Sequence, residues 1–184
     1  MHTYHTEIVQ SEHPVLRKKA HSVPIKEIAS PKFKNIIRKM SEALAEELDG
    51  VAIAAPQINE SYRIFVVSGK VFDERFKRGA GIPKGEKPTH EDVVFINPEI
   101  TKLSKKTKWL QEGCLSVRPM YGEVKRSLNV TLKAYDEHGK KIECGSGGLL
   151  AHIFQHETDH LDGILFIDKA RGVHEGAPEE EFNS

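Results

Sequence analysis

His156-Glu157-Thr158-Asp159-His160 sets two histidines four positions apart with a glutamate beside the first, so in a helix both imidazoles project from one face and can reach a single metal ion. The chemistry this points to is hydrolysis, in which a divalent ion acidifies a water and Glu157 takes its proton. A catalytic tetrahedral site has three protein ligands and one position for water, so the two histidines leave one ligand to find. Cys114, within Glu112-Gly113-Cys114-Leu115-Ser116, offers a thiolate that suits borderline and soft divalent ions, and Gly113 beside it lets backbone approach closely. On residue types alone, two plainer readings stay open. Buried histidines can satisfy themselves on backbone groups, and a lone cysteine is more often a small buried hydrophobe than a ligand.

The histidine pair needs a helix, and the run from Gly148 to Leu161 supplies one. Leu149 and Ile153 continue the stripe of His156 at spacings of four and three, which sets that face against apolar surroundings. Gly145 to Gly148 reads as a flexible lead-in and Asp162-Gly163 as a stop signal. A second amphipathic helix starts at Ser30-Pro31, carries Phe33, Ile36, Ile37, Met40, Leu44 and Leu48 on one face, and is expected to stop near Asp49-Gly50. Ile64 to Val67, Val93 to Ile96 and the alternating Val130, Leu132 and Ala134 read as strands, the last opening a hairpin at Asp136 to Gly139. Ile164 to Ile167 is expected to add one more strand. The histidines must meet a cysteine far upstream, so the 148–161 helix is expected to be central. The expected class is α+β, with mostly antiparallel sheets packed around it.

With 184 residues, 38% of them hydrophobic, the chain suits one compact domain. The expected boundaries are a catalytic domain over 1–170, with 68–92 an exposed insertion rich in glycine, proline and charge, and a loose tail over 171–184. Lys and Arg balance Asp and Glu at 27 each, which gives no sign of a nucleic-acid or membrane partner. The start, Met1 to Pro14, lacks the apolar run of a secretory signal, and no segment is long enough to span a bilayer, so a cytoplasmic protein is expected. His2, His5 and His13 lack ligand-type spacing and read as surface residues. Cys114 and Cys144 are the two cysteines, and free thiol or ligand suits such a pair better than a disulfide.

Gly50-Val51-Ala52-Ile53-Ala54-Ala55-Pro56-Gln57, Glu112-Gly113-Cys114-Leu115-Ser116 and Gln155-His156-Glu157-Thr158-Asp159-His160 resemble, in order, the three signature motifs of the peptide deformylases. The likeness runs from Pro14-Val15-Leu16-Arg17 to about Asp168. It implies an enzyme that removes the formyl group from the starting methionine of nascent bacterial or organellar polypeptides and releases formate. By resemblance, the metal ligands are Cys114, His156 and His160. The ion is ferrous iron first, with nickel, cobalt or zinc as alternatives, since the ligands do not choose among them. Glu157 would carry the proton to the departing amine, and the Gln57 amide and Leu115 backbone N–H would hold the developing oxyanion. Gly50, Val51, Ala52 and Gly113 would meet the peptide, with Leu149 and Ile153 around the methionine side chain, a pair for which plain core packing is the competing reading. The implied partners are formyl-Met nascent peptides, with the ribosome nearby, and a monomer or weak dimer is expected.

The chain departs from the family pattern at Ala52, where a second glycine is usual, and at His152, where relatives carry an apolar residue. An isolated histidine more often faces solvent, and if it does not, the methionine pocket is more polar than usual. Two other classes remain. A zinc endopeptidase would share His156, Glu157 and His160 but take a histidine or carboxylate from downstream as third ligand, which the upstream Cys114 argues against. A catalytically silent deformylase-like protein would be expected to lose the base or a ligand, and all are present.

Overall fold

The computed structural model describes residues 6–79, 82 and 86–176. Five strands form one antiparallel sheet. They are β1 (Ala52–Ala54), β2 (Ile64–Val67), β3 (Val93–Leu103), β6 (Asn129–Tyr135) and β7 (Lys141–Gly147), in the order β1-β2-β3-β6-β7. The second sheet is smaller, with β4 (Thr107–Gly113), β5 (Met120–Ser127) and β8 (Arg171–Glu175) in the order β4-β5-β8. Helix α1 (Pro31–Glu46), the short α2 (Glu74–Lys77) and α3 (Gly148–Leu161) complete the regular elements, and α3 packs against strands of both sheets. The α+β class with a central α3 is as expected.

The uninterrupted apolar run of β2 follows from burial on both faces. Ile64 and Val66, with Ile53, Val94 and Ile96, meet Phe33, Ile36, Met40 and Leu44 of α1. Phe65 and Val67, with Ala52, Ala54 and Phe95, meet Ala151, Ile153, Phe154 and Leu161 of α3. The sheet thus separates two helices of different purpose. Gln155 fixes the rotation of α3, because its Oε1 accepts from Ser127 N at 2.9 Å and its Nε2 donates to Ser127 O at 3.0 Å. With Gln155 tied to β5, His156 and His160 turn toward the seam between the two sheets.

Several expectations are corrected. Helix α1 ends at Glu46, before Asp49-Gly50, and Leu48, read as part of its apolar face, is 75% exposed. Gly50 is there for close approach: a Cβ would lie 2.9 Å from Glu47 Cβ and 3.0 Å from Leu44 Cδ1. Gly145 to Gly147 complete β7 where a flexible lead-in was expected. Ile164 to Ile167 is no strand; Phe166–Asp168 is a 3-10 turn, with Leu165 and Phe166 buried beneath the small sheet. The tail does not begin at Arg171, since Arg171–Glu175 pairs with β5; residues 177–184, like His2 and His5, lie outside the described set.

The 68–92 segment is exposed only in part. Gly69, Lys70, Val71 and Asp73 are buried, and a Cβ on Gly69 would lie 1.9 Å from the His90 carbonyl oxygen. Asp73 accepts from Arg75 N at 2.9 Å, Arg75 Nη2 at 3.0 Å and Thr89 N at 3.0 Å. These donors hold its carboxyl well below the usual range. Among the described residues, no helix is long and apolar enough to cross a membrane.

Candidate metal centre

Cys114 follows the last residue of β4, and His156 and His160 stand one helical turn apart on α3. One ligand atom from each lies within 4.8 Å of the others. Cys114 Sγ is 3.2 Å from His160 Nε2, and the two imidazole centroids are 4.9 Å apart. An ion about 2.3 Å from sulfur and about 2.0–2.1 Å from nitrogen spans a comparable sulfur–nitrogen separation, so the three donors fit one tetrahedral cation with a position to spare. Cys114 and Cys144 are both free thiols.

Glu112 organises this centre, a role that the reading of its motif for Gly113, Cys114 and Leu115 does not give it. It is 4% exposed and lies between three donors: Arg126 Nε at 2.6 Å and Nη2 at 3.1 Å, His152 Nε2 at 2.7 Å, and His156 Nδ1 at 2.8 Å. Burial pushes the Glu112 carboxyl up, but the hydrogen bonds from His152, His156 and Arg126 hold it well below the usual range. An ionised carboxylate only accepts, so His156 Nδ1 carries the hydrogen and Nε2 keeps its lone pair for the ion. Burial works against charge on His156, yet the neighbouring Cys114 and Glu112 raise its pKa well above the ordinary value. The Glu112 carboxylate likewise favours a divalent cation beside His156. Burial lowers His160, as a neutral ligand requires, and its buried Nδ1 has no hydrogen-bond partner among the described residues.

Glu157 is 4% exposed, and its Oε2 is buried without a hydrogen-bond partner among the described residues. Burial raises its pKa to about 7. Gln57 is 2% exposed and sits in a 3-10 turn after β1. Its Oε1 accepts from Ala54 N at 2.8 Å, which fixes the amide so that Nε2 faces Ser116 Oγ at 3.1 Å and Cys114 Sγ at 3.7 Å. Gln57 Nε2 thus donates to Ser116 and to the Cys114 sulfur.

A cleft of about 280 Å³ opens beside these groups. Gly50, Val51, Ala52, Gln57, Gly113, Cys114 and Leu115 lie along it, with Leu149, Ile153, His156 and Glu157 contributed by α3. His160 belongs to the cluster but does not line the cleft. Gly113 admits Tyr121, because a Cβ there would lie 2.4 Å from a ring carbon. Ile153 is 4% exposed and shares the core with Phe154, so it serves both packing and cleft.

His152 does not face solvent. It lines the cleft and hydrogen-bonds Glu112, making this wall more polar than an apolar residue would. Its position four residues before His156, on the same helical face, was the available signal. Arg126, Tyr121 and Phe76 had no comparable signal, being brought in by sheet pairing and by α2, while Glu112 stood inside a quoted motif without a role of its own. Arg118, at the cleft, pairs with Glu47 at 2.8 Å and Asp49 at 2.7 Å.

The polypeptide deformylase family matches residues 5–175. The chain is 36% identical over 178 residues to a peptide deformylase of Dehalococcoides mccartyi, covering 95% of this chain and 93% of the relative. It is 39% identical over 163 residues to the chloroplastic/mitochondrial peptide deformylase 1A of Arabidopsis thaliana, covering 89% of this chain and 60% of that protein. Among solved structures, the peptide deformylase of Thermotoga maritima superposes with a TM-score of 0.73 at 32% identity, covering 90% of this chain and 97% of that one.

Proposed function

The chain belongs to the peptide deformylase family, and from that premise we propose how its own residues carry the reaction. The enzyme is a metal-dependent hydrolase that removes the N-formyl group from the starting methionine of new polypeptides and releases formate. Cys114, His156 and His160 hold the ion. The observation that carries this reading is the meeting of their three donor atoms within 4.8 Å beside a buried glutamate and an open cleft.

When bound, the ion supplies Lewis acidity, which acidifies a neighbouring water and polarises the formyl group. Glu157 takes the water's proton at its carboxylate and later delivers it to the departing amine. Gln57 Nε2 and the Leu115 backbone N–H donate to the formyl oxygen as it gains charge, and the Ala54 contact holds the amide ready beforehand. Strand β1 is an edge of the large sheet, and Gly50, Val51 and Ala52 lie along the cleft, so the peptide lies extended beside them and beside Gly113. Leu149, Ile153 and the polar His152 surround the methionine side chain.

The working ion is ferrous iron, with nickel, cobalt or zinc as substitutes. Cys114 is accessible at the cleft, so thiolate and ferrous iron are both open to oxidants. Iron-loaded protein should therefore hold its formate-releasing activity under nitrogen and lose it in air, whereas nickel-loaded protein should survive air. Equal stability of the iron form in both atmospheres would remove iron from the account. A chelator should abolish activity, and added ion should restore it. The substrate places the enzyme near the ribosome in a compartment where synthesis begins with formyl-methionine, the bacterial cytoplasm or an organelle. One catalytic domain, as a monomer or weak dimer, meets these needs.

A further inference from the structure

Leu48 is 75% exposed, so apolar packing does not hold the turn that leads from α1 into the Gly50 to Ala52 segment along the cleft. Charged side chains hold it from two directions. From the 68–92 segment, the buried Lys70 donates through Nζ to Glu47 O and Leu48 O, each at 3.1 Å, which satisfies carbonyl groups left open at the end of α1. From the loop after Cys114, Arg118 Nη2 donates to Glu47 Oε2 at 2.8 Å and to Asp49 Oδ1 at 2.7 Å.

Arg118 and Asp49 both line the cleft, so the bridge joins one of its walls to the other. The first wall carries Gly50, Val51 and Ala52, and the second carries Gly113, Cys114 and Leu115. The walls already adjoin here, since a Cβ on Gly50 would lie 3.3 Å from Leu115 Cδ1. Each end of the bridge is tied to its wall. Val117 N donates to Cys114 O at 3.0 Å, next to Arg118, and Gly50 N donates to Glu47 O at 3.2 Å. An extended peptide that bonds to both walls finds its partners within a distance range of about 0.5 Å, so the separation of the walls decides how well it is held.

We propose that Arg118 is a positioning residue: by bridging to Glu47 and Asp49 it sets the separation of the two cleft walls, and the guanidinium itself does not touch the substrate. The inference rests on the deformylase reading, and through Lys70 it gives the 68–92 segment the support of the same wall. The test is KM and kcat for formate release from formyl-Met-Ala-Ser amide, whose lack of charge keeps direct attraction to Arg118 out of the measurement. In Arg118→Ala, KM should rise roughly three- to tenfold while kcat stays within about twofold, because the bridge holds ground state and transition state alike. Arg118→Lys should keep KM within about twofold of wild type, since one cation still faces both carboxylates. Glu47→Ala combined with Asp49→Ala should raise KM as much as Arg118→Ala does, and all three changes together should raise it no further. An unchanged KM in Arg118→Ala, or a fall in kcat at constant KM, would overturn the assignment. So would a wild-type or lower KM when both carboxylates are removed, since that would make Arg118 a direct contact to substrate. Formate released by the wild type with any of these outcomes would leave the deformylase reading standing; no formate from the wild type would remove that reading itself.

Discussion

Replacing Glu157 with alanine is expected to leave one metal ion bound per chain while lowering kcat by roughly 10²–10⁴-fold. The side chain lies beside the three donor atoms without being one of them, and its Oε2 is buried with no hydrogen-bond partner among the described residues. Its removal takes away the proton carrier and leaves Cys114, His156 and His160 in place. Metal content by elemental analysis and kcat from formate release, measured on the same preparation, provide the check. Glu157→Gln keeps the volume and should be nearly as slow, because an amide cannot accept the proton. A variant that lost its ion along with its activity would make Glu157 a structural support of the centre.

Glu112→Ala is expected to act differently, weakening metal binding by roughly 10–100-fold and destabilising the fold by about 3–5 kcal/mol. The first effect arises because Glu112 fixes the His156 tautomer through Nδ1 at 2.8 Å. The second arises because Arg126, 4% exposed, would keep as its charged partner among the described residues just Asp159, at 2.6 Å. For a chain of this size that loss corresponds to a fall of roughly 6–20 °C in thermal midpoint. The acid limb should also change. Glu112 is held below its ordinary value, so its contribution is full above about pH 4.3 and fades as pH falls toward the folded value. The variant should therefore show a shallower loss of stability below about pH 4. Metal titration and thermal unfolding between pH 3 and 7 check both parts; wild-type metal affinity in the variant would remove the role given to Glu112.

The helical face of α3 was legible because Leu149, Ile153, His156 and His160 follow helical spacing, which needs no tertiary partner to be read. Strand β2, the start of β3 and the inner positions of β6 were legible for a similar reason, since they carry apolar residues, whereas β1 and the glycine-containing end of β7 were not read as strands. The small sheet was not. Its inward positions include Glu112 on β4 and Arg126 on β5, charged side chains that neutralise one another inside the protein and so break the alternation that marks a strand. The Ile164 to Ile167 run misled because a short apolar stretch fits a strand and a buried turn equally well. In the candidate site, Gln57, Cys114, Leu115, His156 and Glu157 of the motifs line one cleft, while the buried pairing of Glu112 with Arg126, and the arrival of Tyr121 through strand pairing and of Phe76 on α2, are encoded in no local pattern.

The central claim is the removal of a formyl group by a centre built on Cys114, His156, His160 and Glu157. Its most direct test is product analysis on anaerobically prepared, iron-loaded protein given formyl-Met-Ala-Ser and its unformylated counterpart. The account predicts one formate and one free tripeptide amine for each formylated peptide consumed, with the unformylated peptide left intact. Cleavage of an internal peptide bond without formate would contradict it and make the centre that of a peptidase.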